Sequence, residues 1–317
     1  MIKTMKEKMT MFITAMLFVL ALAPAVKAEA SVYQTTASKT DATITWNADS
    51  SSYLKGWIVY VNGQQVTTLA PNVTSYKLTG LTEGNPYAVQ VYSAYKYSYS
   101  TDYSYYSEGK TIVRTTPSKV KTTDVIWKKT DYIEIYAQDP NIYTVSGNNY
   151  KYADGFEIIV KDKNGKKKKT FDSYNSTYYG GADEYFKAPS ALKNKGMQYT
   201  VRAYIKLDNG TKVYGEAVTK VAVPQAKITG KIKSVGGGKY KVTWKKISGA
   251  SGYTIYRTSN EGKSFKKVKK VGKNTTSITI KKSYMNSSKK GIVIVANGVK
   301  IGKKKYNSIK SYYTYTY

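Results

Sequence analysis

The chain has 317 residues, 51 Lys and Arg against 20 Asp and Glu, a formal net charge of +31, 33 Tyr, and neither His nor Cys. Without His or Cys, no Ser-His-Asp or Cys-His catalytic group can be built, nor the common zinc sites, and no disulfide can staple the fold. The charge imbalance costs self-repulsion at low salt and draws the molecule toward polyanions.

Residues 1–28 read as an export signal. Lys3, Lys6 and Lys8 precede an apolar run from Met11 to Pro24, and Val26 and Ala28 flank Lys27 at a plausible cleavage point. The run is shorter than the ~20 residues a membrane-spanning helix needs, and no later stretch resembles one, so the mature chain is expected to carry no integral membrane span. Removing those 28 residues leaves 289 carrying +28, because Lys3, Lys6, Lys8 and Lys27 stand against Glu7. That length holds two or three domains of ordinary size, and three are expected. A mature N-terminus without Cys cannot take the lipid anchor that needs a Cys just after the cleavage site. A Cys-free, Lys-rich and Tyr-rich exported chain suits a Gram-positive bacterium, in which the five Asn-X-Ser/Thr triplets, at Asn72, Asn175, Asn209, Asn274 and Asn286, carry no glycans.

From residue 31 to 117 the pattern is short alternating segments broken by turns. Ser31 to Ala37 is a first strand, and Ala42 to Asn47 sets Ile44 and Trp46 on one face at period 2. Trp57 to Val61 leads into Asn62-Gly63, the dipeptide that best marks a two-residue hairpin, and Gln64 to Leu69 returns. Thr74 to Gly80, a strand from Tyr87, and Lys110 to Thr116 with Ile112 inward complete seven strands and no helix. Leu81 stands six residues before Tyr87, with Gly84, Asn85 and Pro86 between them. That spacing suits a sandwich corner in which Leu fills the core and the Tyr hydroxyl bonds to nearby backbone.

The Trp46 strand, Gly56-Trp57-Ile58-Val59-Tyr60, the Leu81 to Tyr87 corner and Ala88-Val89-Gln90-Val91-Tyr92 together resemble a fibronectin type III domain. The resemblance implies that Trp46 is the core tryptophan of strand B and Tyr87 the corner of strand F. Residues 225–317 repeat the plan with Tyr240 to Trp244, Tyr253 to Arg257, a turn at Asn260-Glu261-Gly262, and Phe265 to Val271. The run from Trp244 to Arg257 resembles repeated fibronectin type III domains of bacterial surface proteins. Gly291, opening Gly291 to Ala296, stands where the corner Tyr should be, so this copy lacks that tether or supplies it elsewhere. Residues 118–224 are the least regular copy. Tyr136 replaces the tryptophan, Asp139 to Asp154 is an insertion, Leu192 and Tyr199 imitate the corner with one extra residue, and Tyr199 to Leu207 turns through Asn209-Gly210 into Lys212 to Val223. The fold class expected is all-β: tandem fibronectin type III or immunoglobulin-like β-sandwiches behind a signal peptide, with the middle one a variant and with joints at Pro117-Ser118 and Pro224-Gln225.

No constellation carries recognisable chemistry, so an enzyme is not expected, and neither is a cofactor. Asp183-Glu184 is the closest acidic pair, but adjacent residues of an extended chain point to opposite faces. Ser234 to Lys239 holds Gly236 to Gly238 and a Lys between strands rather than before a helix, so it reads as a turn and not a phosphate loop.

Two surfaces remain. The run Tyr95, Tyr97, Tyr99, Tyr103, Tyr105 and Tyr106, interleaved with Ser98, Ser100, Ser104 and Ser107, forms a hairpin tip. Tyr with Ser makes good contact loops, and the rings can stack on sugars, although alternating Tyr and Ser can equally make the two faces of a twisted hairpin. The basic surface is Lys166, Lys167, Lys168 and Lys169 after Asn164-Gly165, and Lys266, Lys267, Lys269 and Lys270 around Val268, with Lys281-Lys282, Lys289-Lys290 and Lys303 to Lys305. Alternate lysines of such a strand should face out while Val268 and its neighbours face in. Edge lysines also keep sandwiches from pairing edge to edge. Lys outweighs Arg, which favours diffuse attraction over bidentate phosphate reading, so specific nucleic acid is not an expected partner. The expectation is a secreted, cell-wall-associated, non-enzymatic binding or adhesion protein whose partner is an anionic cell-wall polymer or an extracellular glycan or protein. A structural spacer or assembly subunit, or an accessory module of an extracellular carbohydrate-active system, is the alternative.

Overall fold

The computed structural model describes residues 32–122, 126–129, 132–139, 141, 143–145, 148–174, 181–187, 189–229, 232–259, 262–285, 290–308 and 310. The expected signal segment 1–28 and the Tyr-rich run 312–317 lie outside them. By contact the chain divides into Met1–Pro117 with Ile205–Val213, and Ser118–Tyr204 with Tyr214–Tyr317.

In the first unit the strands are Val32–Ala37 (β1), Ala42–Trp46 (β2), Leu54–Val61 (β3), Gln64–Leu69 (β4), Ser75–Leu78 (β5), Pro86–Tyr95 (β6) and Ser104–Arg114 (β7). They make two antiparallel sheets, β1-β2-β5 and β4-β3-β6-β7. This is the A-B-E and C′-C-F-G arrangement of a fibronectin type III sandwich. Period 2 does the sorting: Ala42, Ile44 and Trp46 turn inward from β2 and meet Trp57, Val59, Val89, Val91 and Val113 of the facing sheet. Trp46 and Trp57 pack with centroids 5.8 Å apart, and the Trp57 indole N–H donates to the Pro71 carbonyl at 3.1 Å. Asn62 and Gly63 both take positive φ, 50° and 80°, as a hairpin of this twist requires. At the corner the Thr82 N–H donates to the Tyr87 hydroxyl at 2.7 Å over the buried Leu81.

One expectation is corrected. Ile112 faces outward, 50 % exposed, and Val113 is the core residue. Val91 pairs with Gly109 but Tyr92 with Ser107, so Glu108 is an extra residue that shifts the register of β7. Val113 then lies opposite Tyr87 on the core face, while Ile112 lies opposite Ala88 on the other. The strand also begins at Ser104 rather than Lys110, which places part of the tyrosine run within the ladder.

The second unit holds two further hydrophobic clusters. Around the first of them run Lys121–Thr122 (β8), Ile126–Lys129 (β9), Tyr132–Gln138 (β10), Tyr143–Val145 (β11), Asn148–Tyr150 (β12), Gly155–Asp162 (β13), Lys167–Tyr174 (β14), Gly181–Lys187 (β15), Met197–Lys206 (β16), Lys212–Tyr214 (β17) and Val218–Ala222 (β18). The Asp139 insertion is anchored at its root: the Asp139 carboxylate accepts the N–H groups of Asn141, Tyr152 and Ala153. Leu192 and Tyr199 are both buried, as their corner spacing suggests. The last cluster is framed by Lys233–Ser234 (β19), Lys239–Thr243 (β20), Gly252–Ser259 (β21), Ser264–Gly272 (β22), Ser277–Lys281 (β23), Gly291–Asn297 (β24), Val299–Ile301 (β25) and Lys304–Tyr306 (β26). Gly236, Gly237 and Gly238 all have positive φ with open space around them, which is turn geometry.

Within this unit the two clusters are joined through backbone: the Ser248 N–H donates to the Asn194 carbonyl at 3.0 Å and the Gly302 N–H to the Lys163 carbonyl at 2.7 Å. A Cβ on Gly196 would sit 2.9 Å from Ile301 and 3.0 Å from Val299, so the joint closes on a bare backbone.

Three glycines occupy like places in their strands. Gly56, Gly155 and Gly252 each precede a fully buried aromatic, Trp57, Phe156 and Tyr253. A Cβ at each would strike the carbonyl oxygen of the neighbouring edge strand, Leu69 at 2.4 Å, Ser173 at 2.4 Å and Val271 at 2.6 Å. Close approach of the neighbouring strand is therefore built in at all three glycines.

The strand that opens at Gly291 has no corner Tyr, and a tether comes from another place. The Tyr253 hydroxyl accepts the buried Ile247 N–H at 2.9 Å, and its ring stands edge-on to Trp244. Tyr253→Phe strands that N–H in the core, whereas Tyr87→Phe leaves Thr82 within reach of water. The first is expected to cost about 1–3 kcal/mol and the second about 0.5–1.5 kcal/mol. Urea denaturation of the two variants checks the order.

Candidate binding surfaces

Among the tyrosines whose side chains are described, the five exposed ones lie together: Tyr53 at 43 %, Tyr99 at 84 %, Tyr103 at 47 %, Tyr105 at 50 % and Tyr106 at 52 %. They gather where β6 and β7 run beyond the core. The extra residue at Glu108 decides which rings meet. It sets Tyr106 opposite Ser93, on the side of Tyr95, and Tyr105 opposite Ala94, on the other. Its carboxylate accepts the buried Ser93 hydroxyl at 2.6 Å, which holds the shift in place.

On the first side the rings of Tyr95, Tyr97 and Tyr99 form a stack. Tyr95 and Tyr97 are 6.1 Å apart and 8° from parallel, and Tyr97 and Tyr99 are 5.4 Å apart at 14°. Tyr53 leans on Tyr97 at 5.2 Å, and Tyr106 meets Tyr95 edge-on at 5.5 Å. The Lys96 N–H donates to the Tyr53 carbonyl, which ties this loop to the tip. On the other side Tyr103 and Tyr105 stack at 6.3 Å and 19°, with the Lys96 ammonium 5.4 Å above Tyr103. Parallel rings cover one another's faces, so Tyr97 is largely enclosed, and Tyr99 at the end of the stack is the most exposed.

The root of the stack is polar. The Tyr95 hydroxyl donates to the Asp49 carboxylate, which also accepts the Ser51 N–H at 2.7 Å. The bond to Tyr95, aided by Ser51, lowers the Asp49 carboxyl from 3.8, and the same bond, with burial, pushes the Tyr95 phenol up to about 12. Tyr97 is also raised, first by its hydrogen bond with Tyr106. Because the folded pKa of Tyr95 lies above its unfolded value of 10.0, its contribution to stability is whole below pH 10 and lost as pH rises toward 12. Asp49 contributes above its unfolded value of 3.8 and loses that contribution as pH falls through the lower folded one. Denaturation at pH 9 and pH 11.5 is expected to show a larger alkaline loss in the wild type than in Tyr95→Phe.

The lysine runs occupy two edge strands: β14 ends the sheet β14-β13-β16-β17, and β22 ends β22-β21-β24. Lys166, Lys167, Lys168 and Lys169 are all exposed, as are Lys266, Lys267, Lys269 and Lys270. Simple alternation would have turned some of the second set inward, and the structure corrects that. Ile255 pairs with Lys269 and Tyr256 with Lys267, so Val268 is an extra residue, and both Val268 and Val271 pack toward the core while every lysine stays out. The β13–β14 hairpin carries the same irregularity at Lys168, and β3–β4 carries it at Val66. Lys168 pairs with Asp162 at 3.2 Å, and the Lys169 ammonium lies 4.5 Å over the Phe171 ring.

The structure thus divides the six tip tyrosines read from the sequence between two sides, Tyr95, Tyr97, Tyr99 and Tyr106 on one and Tyr103 and Tyr105 on the other, and adds Asp49, Tyr53 and Lys96 to them. Asp49 and Tyr53 lie more than forty residues before the stack, and nothing local to them signals the meeting. Among the described residues no group of three or more Asp, Glu, His or Cys side chains could hold a metal, and no helix is long and apolar enough to cross a membrane. Asp183 and Glu184 are consecutive in β15.

No family model matches the chain, and no curated protein matches it in sequence. Solved structures align with it at low identity. The central fibronectin-III array of RIM-binding protein is 15 % identical over 89 % of this chain and 94 % of that one, with a TM-score of 0.23. The FN1–FN3 domains of chicken CNTN1 are 14 % identical over 89 % and 97 %, with a TM-score of 0.25. The Clostridium perfringens spore cortex lytic enzyme SleM is 18 % identical over 26 % of each chain, with a TM-score of 0.21. The fold assignment rests on the strand order rather than on these superpositions: the chain is all-β, with a sandwich of the fibronectin type III kind.

Proposed function

We propose that this is a secreted, non-enzymatic protein of a Gram-positive cell surface, held at the wall by its lysines and presenting the tyrosine tip to an extracellular glycan or protein. The gathering of every described exposed tyrosine at one hairpin end is the observation that carries this reading. Buried apolar cores fold without such a display, and Tyr is the side chain that contributes most contact area for the least lost rotamer freedom. The two lysine-edged strands supply the general attraction. Teichoic-acid-like polymers are the polyanions an exported chain of that origin meets first, and Lys suits them because diffuse charge needs no bidentate geometry.

A pull-down from extracellular glycans and surface proteins at physiological salt tests the tip. Tyr99→Ser is expected to weaken capture more than Tyr97→Ser, since Tyr99 offers the freer face; equal capture by wild type and Tyr99→Ser would remove the tip as the contact.

The mutual covering of the Tyr95, Tyr97 and Tyr99 faces favours a second reading, a spacer or assembly subunit in which the tip packs on protein. Light scattering with and without added polymer separates the two, because only the second gives a larger mass without polymer.

A further inference from the structure

The tyrosine tip also has the parts of an oxidation site. A phenol loses an electron more readily when its proton has somewhere to go, and Tyr95 donates its proton to the Asp49 carboxylate. The Tyr95, Tyr97 and Tyr99 rings lie nearly parallel at 6.1 Å and 5.4 Å, close enough for an electron vacancy to pass from one to the next. The stack ends in Tyr99, 84 % exposed, while its root is partly buried. Tyr103 and Tyr105 supply an internal comparison. They are also stacked and half exposed, but the cation of Lys96 over Tyr103 opposes loss of an electron there.

We propose that Tyr99 is a site of oxidative tyrosine–tyrosine cross-linking between two copies of this chain, fed through the Asp49–Tyr95–Tyr97 relay. The oxidant is hydrogen peroxide acting through a haem peroxidase. One electron leaves Tyr95 as its phenolic proton moves to Asp49. An electron from Tyr99, relayed through Tyr97, refills Tyr95, which recovers its proton, and the Tyr99 phenolic proton passes to water. Two Tyr99 radicals on separate molecules join ortho carbon to ortho carbon. Each ring then moves the hydrogen from that carbon to its oxygen and regains aromaticity. Two phenols have lost two electrons and two protons, and one peroxide takes both pairs to become two waters. A covalent bond made in this way needs no cysteine, which this chain lacks.

The test treats the protein with a haem peroxidase and limiting hydrogen peroxide, follows covalent dimer and dityrosine fluorescence, and maps the linked peptides by mass spectrometry. Wild type is expected to link mainly through Tyr99. Tyr99→Phe keeps the ring and the stack but has no phenol, and should lower dimer yield severalfold. Asp49→Asn keeps a hydrogen-bond acceptor but not the base, and should slow dimer formation severalfold while circular dichroism stays unchanged. Tyr105→Phe should leave the rate close to wild type. Linkage mainly through Tyr103 or Tyr105, or an unchanged rate in Asp49→Asn, overturns the proposal.

Discussion

Trp57→Ala is expected to unfold the first sandwich. The ring is fully buried, packs on Trp46 at 5.8 Å, and satisfies its indole N–H on the Pro71 carbonyl. Truncating such a side chain costs about 3–5 kcal/mol, a large part of the ~5–15 kcal/mol by which a domain is stable. The loss comes from a cavity between two sheets, which the Tyr87 corner holds in place where the chain passes from β5 to β6. Hydrogen exchange of the full chain is the measurement. Amides of β2, β3 and β6 should lose protection, and those of β21 and β24, in the other unit, should keep theirs. Retained protection in β3 would show that the two tryptophans do not hold the sheets together.

The second large effect concerns charge. Lys266, Lys267, Lys269 and Lys270 are exposed on an edge strand, so changing all four to Glu alters the surface without touching the core. A shift of eight charge units at one edge, on a chain whose full sequence carries +31, should lower affinity for an anionic wall polymer at least about tenfold, or ~1.4 kcal/mol. Edge Glu still discourages strand pairing, so the variant should remain as dispersed as the wild type. Sedimentation of the variant with isolated walls at low salt measures the loss, and affinity equal to wild type would assign the attraction to other lysines.

Much of this architecture could be read from local pattern. Trp46, Asn62-Gly63, Leu81 and Tyr87 signal a strand, a turn and a corner because each acts over a few residues, and the structure holds them in those roles. Features that depend on a partner strand were less accessible. The extra residues at Glu108 and Val268 are invisible in alternation, since a shift of one position is fixed by what lies across the ladder. Within Lys110 to Thr116 alternation alone allows either face, and the ladder turns Val113 rather than Ile112 inward; around Val268 it keeps every lysine out. The tip shows the same division. The tyrosine run was plain, but its separation into two sides follows from Glu108. The Asp49 contact with Tyr95 spans 46 positions and has no local sign. The tether left open by Gly291 is met by Tyr253, a residue whose place after a glycine suggests only a buried strand.

In the function proposed above the lysine edges, and not a specific pocket, hold the protein to its surface. Binding of the chain to isolated cell walls should be followed as salt is raised. Screening shortens the reach of exposed charges to a few Å by about 0.5 M, so the chain should elute by then. Retention at that concentration would contradict the proposed function.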